Sequence, residues 1–229
     1  MNDFIFGVYP YIAGTIFLVG SWIRFDREQY TWKADSSQFL NNDKMRLASN
    51  LFHVGIIAVF FGHFFGMLTP HSVFLALGIS DMAHQKMAII LGILFGGMCL
   101  AGATMLTLRR LQDPRIVAAG RKRDLFVIGW LLATVLVGLL TTLVSMKHVA
   151  DGDVSTMIAL TQYVQSVATL RADPTLVADV NPLFKLHMFL GMTVFLMFPF
   201  TRLVHVWSVP LTYLSRAYQI VRAKQIAAR

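Results

Sequence analysis

The sequence predicts an all-α integral membrane protein: five transmembrane helices, N-terminus periplasmic, C-terminus cytoplasmic. Two observations carry the fold class. Of 229 residues, 56% are hydrophobic and only 14% charged, against roughly 25% charged in a soluble domain. Five stretches, about 4–24, 47–69, 86–108, 124–145 and 183–206, approach the roughly 20 apolar residues that carry a helix across a bilayer. A third observation, the placement of the basic residues, sets the orientation.

The first stretch has no Lys or Arg before it and no small-residue cleavage site after it, so it is expected to stay as a helix rather than be removed as a signal. Arg24, Arg27, Lys33, Lys44 and Arg46 then fill the first connection, and Arg109, Arg110, Arg115, Arg121, Lys122 and Arg123 fill the third. Arg202, Arg216, Arg222, Lys224 and Arg229 lie at the end of the last span or in the tail 207–229. Only Lys86, Lys147, Arg171 and Lys185 fall on the other side, which leaves sixteen of twenty basic residues on one face. The positive-inside rule makes that face the cytoplasm. A multi-pass protein of a bacterial inner membrane follows, read as one membrane domain over residues 1–229. The net charge of +8 sits beside the spans and does not indicate nucleic-acid binding.

Pro70 is expected to end the second helix, since proline disfavours helical backbone in the residue before it. Pro199 is expected to kink the fifth. Within the polar connection 146–182, residues 154–168 read as an amphipathic helix on the membrane surface. The tail alternates basic and apolar residues and suits lipid headgroups or a partner protein. The single cysteine, Cys99, allows no internal disulfide and reads as a buried inert thiol. With no CxxC, iron–sulfur ligation and covalent c-type haem attachment are excluded.

Four histidines stand inside the apolar segments: His53 and His63 in the second, His187 and His205 in the fifth. Ionisable side chains are costly there and are kept facing the bundle interior, with a function to serve. The two spans run antiparallel, so depth pairs His53 with His205 toward the cytoplasm and His63 with His187 toward the periplasm. Each pair suits one non-covalent haem b, with both axial positions filled by imidazole. The fold therefore reads as a di-haem bundle. Gly55, Gly62, Gly66 and Gly191 are expected either to admit the flat macrocycles or to serve helix packing. One tension is visible in advance. Ten residues of helix separate His53 from His63, about 15 Å, but eighteen separate His187 from His205, about 27 Å. His71 in place of His63 would equalise the spacing, but it lies beyond Pro70.

Around these residues the sequence closely resembles the gamma subunit, the membrane cytochrome b, of respiratory nitrate reductase. The resemblance rests on YPYIAG (9–14), GSW (20–22), QYTW (29–32), LASNLFHVGI (47–56), GHFFGMLTPH (62–71), QKMA (85–88) and FKLHMFLGMTVFLMFPFTRLVHVWSVP (184–210). It implies a five-span subunit that anchors a cytoplasmic iron–sulfur beta subunit and a molybdenum-containing alpha subunit. It also implies a distal haem on His63 and His187 and a proximal haem on His53 and His205.

Quinol oxidation needs a lipid-accessible pocket and a group that takes the hydroxyl proton. Gly62, beside His63, and His84 and Lys86, at the start of the third span, are the candidates. The family carries a quinol-binding lysine in this first turn; Lys86 matches its type, and His84 its place under an alternative alignment. Arg24, Ser36, Ser37 and Arg202 are candidates for the propionates of the inner haem, and His71 for those of the outer haem or for the quinol pocket. The expected function is oxidation of menaquinol or ubiquinol near the periplasmic face, with electrons passed through two haems to the cytoplasmic partners. The alternatives are a quinone-reactive subunit of another respiratory complex, of sulfur metabolism or heterodisulfide-reductase type, and a non-redox anchor or transporter.

Overall fold

The computed structural model describes residues 2–32 and 44–208; Ser36, Ser37 and tail residues 209–229 lie outside the described residues. Every regular element among the described residues is helical. Five are long and apolar enough to cross a membrane: α1 (Asp3–Arg27), α2 (Met45–Leu68), α3 (Asp81–Gln112), α4 (Lys122–Ala150) and the fifth run Pro182–Phe200. The amphipathic helix α5 (Ser155–Ala168) lies between α4 and α6 (Pro182–Met197), the regular part of the fifth run.

The helix starts follow from local chemistry. The Ser80 hydroxyl accepts from the Ala83 amide and caps α3. Asn181 does the same for α6 through Leu183, with Pro182 at the first helical position, where no N–H is needed. Thr69, before Pro70, is extended and ends α2 as the sequence predicts. Pro10 stands inside α1 just after a π-helical turn (Asp3–Val8). It has no N–H to give the carbonyl four residues back, Phe6 O. The Tyr163 hydroxyl of α5 donates there instead, at 2.8 Å.

The helices pack in chain order, α2 on α3, α3 on α4, α4 on α6 and α6 back on α1. The closest crossing is α2 on α3. A Cβ at Gly55 would stand 2.5 Å from the Cys99 amide nitrogen, and one at Gly102 would collide with the Phe52 backbone. Gly55 therefore serves helix packing and not a macrocycle, while Gly62 and Gly191 have nothing within 4 Å of a built Cβ. Cys99 is fully buried at this crossing, as expected. At one end of the bundle α5 packs its Leu160 and Tyr163 with Phe6, Val177, Val180 and Phe184 into an apolar cluster.

The fifth span departs from the expected 183–206. Its regular helix stops at Met197, becomes 3-10 over Phe198–Phe200, and opens at Thr201 into extended backbone (φ −126°, ψ 179°). A separate 3-10 segment, Arg202–Trp207, carries His205. Pro199 cannot donate to Phe195 O, and the Phe198 amide closes onto that oxygen in its place. A break rather than a kink thus absorbs the spacing mismatch. The Pro199 ring sits against α1, where a Cβ at Gly20 would come within 2.9 Å of its Cγ.

Candidate functional site: two histidine pairs and a cavity

The four intramembrane histidines meet in two pairs. His53 of α2 faces His205 with ring centres 6.3 Å apart. His63, three turns further along α2, faces His187 of α6 at 5.9 Å. The rings are inclined to each other by 71° and 46°.

Each of the four rings has its Nδ1 on a backbone carbonyl. Nδ1 of His53 lies 2.8 Å from Ser49 O, that of His63 2.8 Å from Val59 O, that of His187 3.1 Å from Thr134 O, and that of His205 2.5 Å from Arg202 O. A carbonyl oxygen only accepts, so each Nδ1 carries the proton and donates. The tautomer is thereby fixed and every Nε2 keeps its lone pair, which is how metal-binding histidines are oriented.

The geometry passes a simple test for an iron between each pair. A metal–imidazole bond of about 2 Å, plus about 1 Å from nitrogen to ring centre, puts two axial rings about 6 Å apart. Among the described residues no group of three or more His, Cys, Asp or Glu converges as an ion site. A pair suffices where a macrocycle supplies the four remaining ligands.

At the His63–His187 end lies a cavity of about 220 Å³ between the short helix His71–Ala76 that follows α2, the start of α3 and α5. Its walls include Thr69, His71, Phe74, Asp81, His84 and Gln165. That volume is below the roughly 300–1,000 Å³ of pockets for drug-sized ligands, and suits one ring headgroup. His84 is buried, stacked on Phe74 with ring centres 4.1 Å apart. His71 Nδ1 pairs with Asp81 Oδ1 at 2.8 Å, and His71 is half exposed. Gln165 Nε2 donates to Met67 O and Thr69 O, both at 3.1 Å, and fastens α5 to the end of α2.

The chain matches known proteins over nearly its full length. The family model described as nitrate reductase gamma subunit matches residues 2–224. The chain is 48% identical to the respiratory nitrate reductase 1 gamma chain and 46% identical to the respiratory nitrate reductase 2 gamma chain, both of Escherichia coli, with 98% of each partner covered in either case. It is 37% identical to the nitrate reductase gamma chain of Bacillus subtilis, over 97% of this chain and 99% of the relative. This chain belongs to the nitrate reductase gamma subunit family. It is accordingly a multi-pass membrane subunit of a respiratory oxidoreductase.

Against the residues expected from sequence, the structure brings all four histidines together in the pairs that depth assigns. It gathers His84 and His71 at one cavity, but Gly62 and Lys86 do not line it, and Lys86 lies on an exposed face of α3. His71 is bound to Asp81 and faces no other histidine pair, so it does not take the place of His63. Arg24 has a role that the sequence did not announce. One nitrogen of its guanidinium donates to Pro199 O and Thr201 O, both at 2.7 Å, and the other to Thr31 O at 2.9 Å. It thus caps the carbonyls bared by the helix break one turn below Gly20. Arg202, beside His205 in sequence, supplies the carbonyl that orients that ring.

Proposed function

We propose that this gamma-family chain is a di-haem b-type cytochrome subunit of a quinol:nitrate oxidoreductase. It oxidises menaquinol or ubiquinol near the periplasmic face and feeds electrons to a cytoplasmic iron–sulfur beta subunit and a molybdenum-containing alpha subunit, where nitrate is reduced. The single observation that carries the reading is the set of four histidines, each with Nδ1 on a backbone carbonyl and paired at 6.3 and 5.9 Å. When bound, the two haems would supply a one-electron path along the bundle.

His63 and His187 hold the outer group, and His53 and His205 the inner one. The cavity is the quinol headgroup site, at the outer pair's end. The His84 imidazole accepts a hydroxyl proton there, and the half-exposed His71–Asp81 pair passes protons on to the outer aqueous phase. Phe74 stacks on the His84 ring, and both line the cavity. The basic face of the chain, by the positive-inside rule, is the side on which the partner subunits dock.

A reduced-minus-oxidised spectrum with pyridine-haemochrome quantitation tests the reading, and two b-type haems per chain are expected. None would leave only an anchor or a transporter. Acid–acetone should extract all the colour, because a chain with one cysteine has no pair for thioether attachment.

A further inference from the structure

The histidines of α2 are oriented by carbonyls of their own helix, four residues back. His187 is different. Its Nδ1 crosses to another helix and donates to Thr134 O of α4. In an α-helix that oxygen is the acceptor of the amide at position 138, and a carbonyl has a second lone pair to offer. The residue at 138 is glycine, and the imidazole lies directly over it. A Cβ built there would stand 2.7 Å from His187 Cε1, 3.2 Å from Nδ1 and 3.3 Å from Nε2. Side-chain atoms do not approach so closely, and the ring has no easy retreat, since Thr134 O holds one nitrogen and His63 faces it across the gap.

We propose that the Thr134 carbonyl and the bare Cα of Gly138 form a backbone rest on α4 that sets the plane and position of the His187 imidazole, making Gly138 a positioning residue for the outer haem. The inference rests on the proposed role of His187 as a ligand. Glycine is required at this position because the ring packs on the helix backbone itself. Other glycines of the bundle show the contrast. Gly129, on the same helix, and Gly97, on α3, have nothing within 4 Å of a built Cβ.

The test uses the membrane-bound complex with its partner subunits, in four variants: His187→Ala, Gly138→Ala, Gly138→Leu and Gly129→Ala. Haem per chain, midpoint potentials and the low-spin EPR signals of the two haems are measured, none of which depends on turnover. His187→Ala should reduce two haems to one. If it retains both, the ligand assignment itself falls, and the rest with it. With that assignment standing, Gly138→Leu should lose the same haem and leave the His53–His205 haem with wild-type signals. Gly138→Ala should keep both haems but displace the EPR signal and potential of the outer one alone. Gly129→Ala should change nothing. Wild-type signals from both haems in Gly138→Leu would overturn the proposal. So would loss of both haems together, which marks a general packing defect.

Discussion

At one end of the bundle, His63 and His187 project from unbroken helices. At the other end, His53 still sits on a regular helix, but His205 rides on a 3-10 segment beyond an opened turn. The two pairs end with nearly the same ring spacing, reached by different means. Eighteen residues of straight helix would overshoot the partner on α2 by about 12 Å. The break at Pro199–Thr201 takes up that excess, at the cost of bared carbonyls that Arg24 must cover. One end is thus specified by helix packing and the other by a polar clasp.

The largest effects should come from the ligands and should sort by end. His53→Ala and His205→Ala are each expected to remove the same haem, and His63→Ala and His187→Ala the other. Redox titration of the four variants decides it. A phenotype shared by His53 and His187 would break the pairing and the comparison together.

Next in size is Arg24→Ala. Removing a cation that donates to three carbonyls leaves acceptors unmet in a part-buried site, and the local cost is about 3 kcal/mol. The expected outcome is early loss of the His53–His205 haem on heating, with the other haem retained to higher temperature. Arg24→Lys should rescue little, because an ammonium cannot reproduce the planar fork. Equal lability of both haems in Arg24→Ala would mean that the clasp does not set one end apart.

Much of this architecture is legible in the sequence, and for identifiable reasons. The five apolar stretches and the stop at Pro70 follow from composition and proline chemistry acting locally. The histidine pairing follows from antiparallel depth alone. What the sequence hides depends on which helix a residue faces. Gly55 and Gly62 look alike in a glycine-rich span, yet one meets the α3 backbone and the other open space. Gly138 carries no signal until His187 is seen lying on it. Arg24 reads as a positive-inside residue or a propionate candidate, because the carbonyls it caps are some 175 positions away. Pro199 announces a distortion, but whether a proline kinks or breaks a helix depends on what can receive the freed carbonyls, here Arg24 of another helix.

The smallest expected effect concerns the cavity at the His63–His187 end. His84 and Lys86 are two residues apart on one helix, which places them about 200° apart around its axis. His84 is buried in the cavity wall, and Lys86 points elsewhere. Replacing His84 with alanine removes the imidazole that would take the quinol proton and leaves both histidine pairs untouched. Loss of that hydrogen bond should cost about 1.5 kcal/mol, roughly a tenfold slowing of haem reduction at limiting quinol. Reduction by dithionite, which bypasses the site, should stay at the wild-type rate. Lys86→Ala should leave both rates unchanged, because an exposed lysine at a helix start lies along the membrane boundary as an anchor. The reverse pattern, slow quinol oxidation in Lys86→Ala and normal rates in His84→Ala, would put the headgroup on the outer face of α3. The cavity would then be a by-product of how α5 closes the bundle.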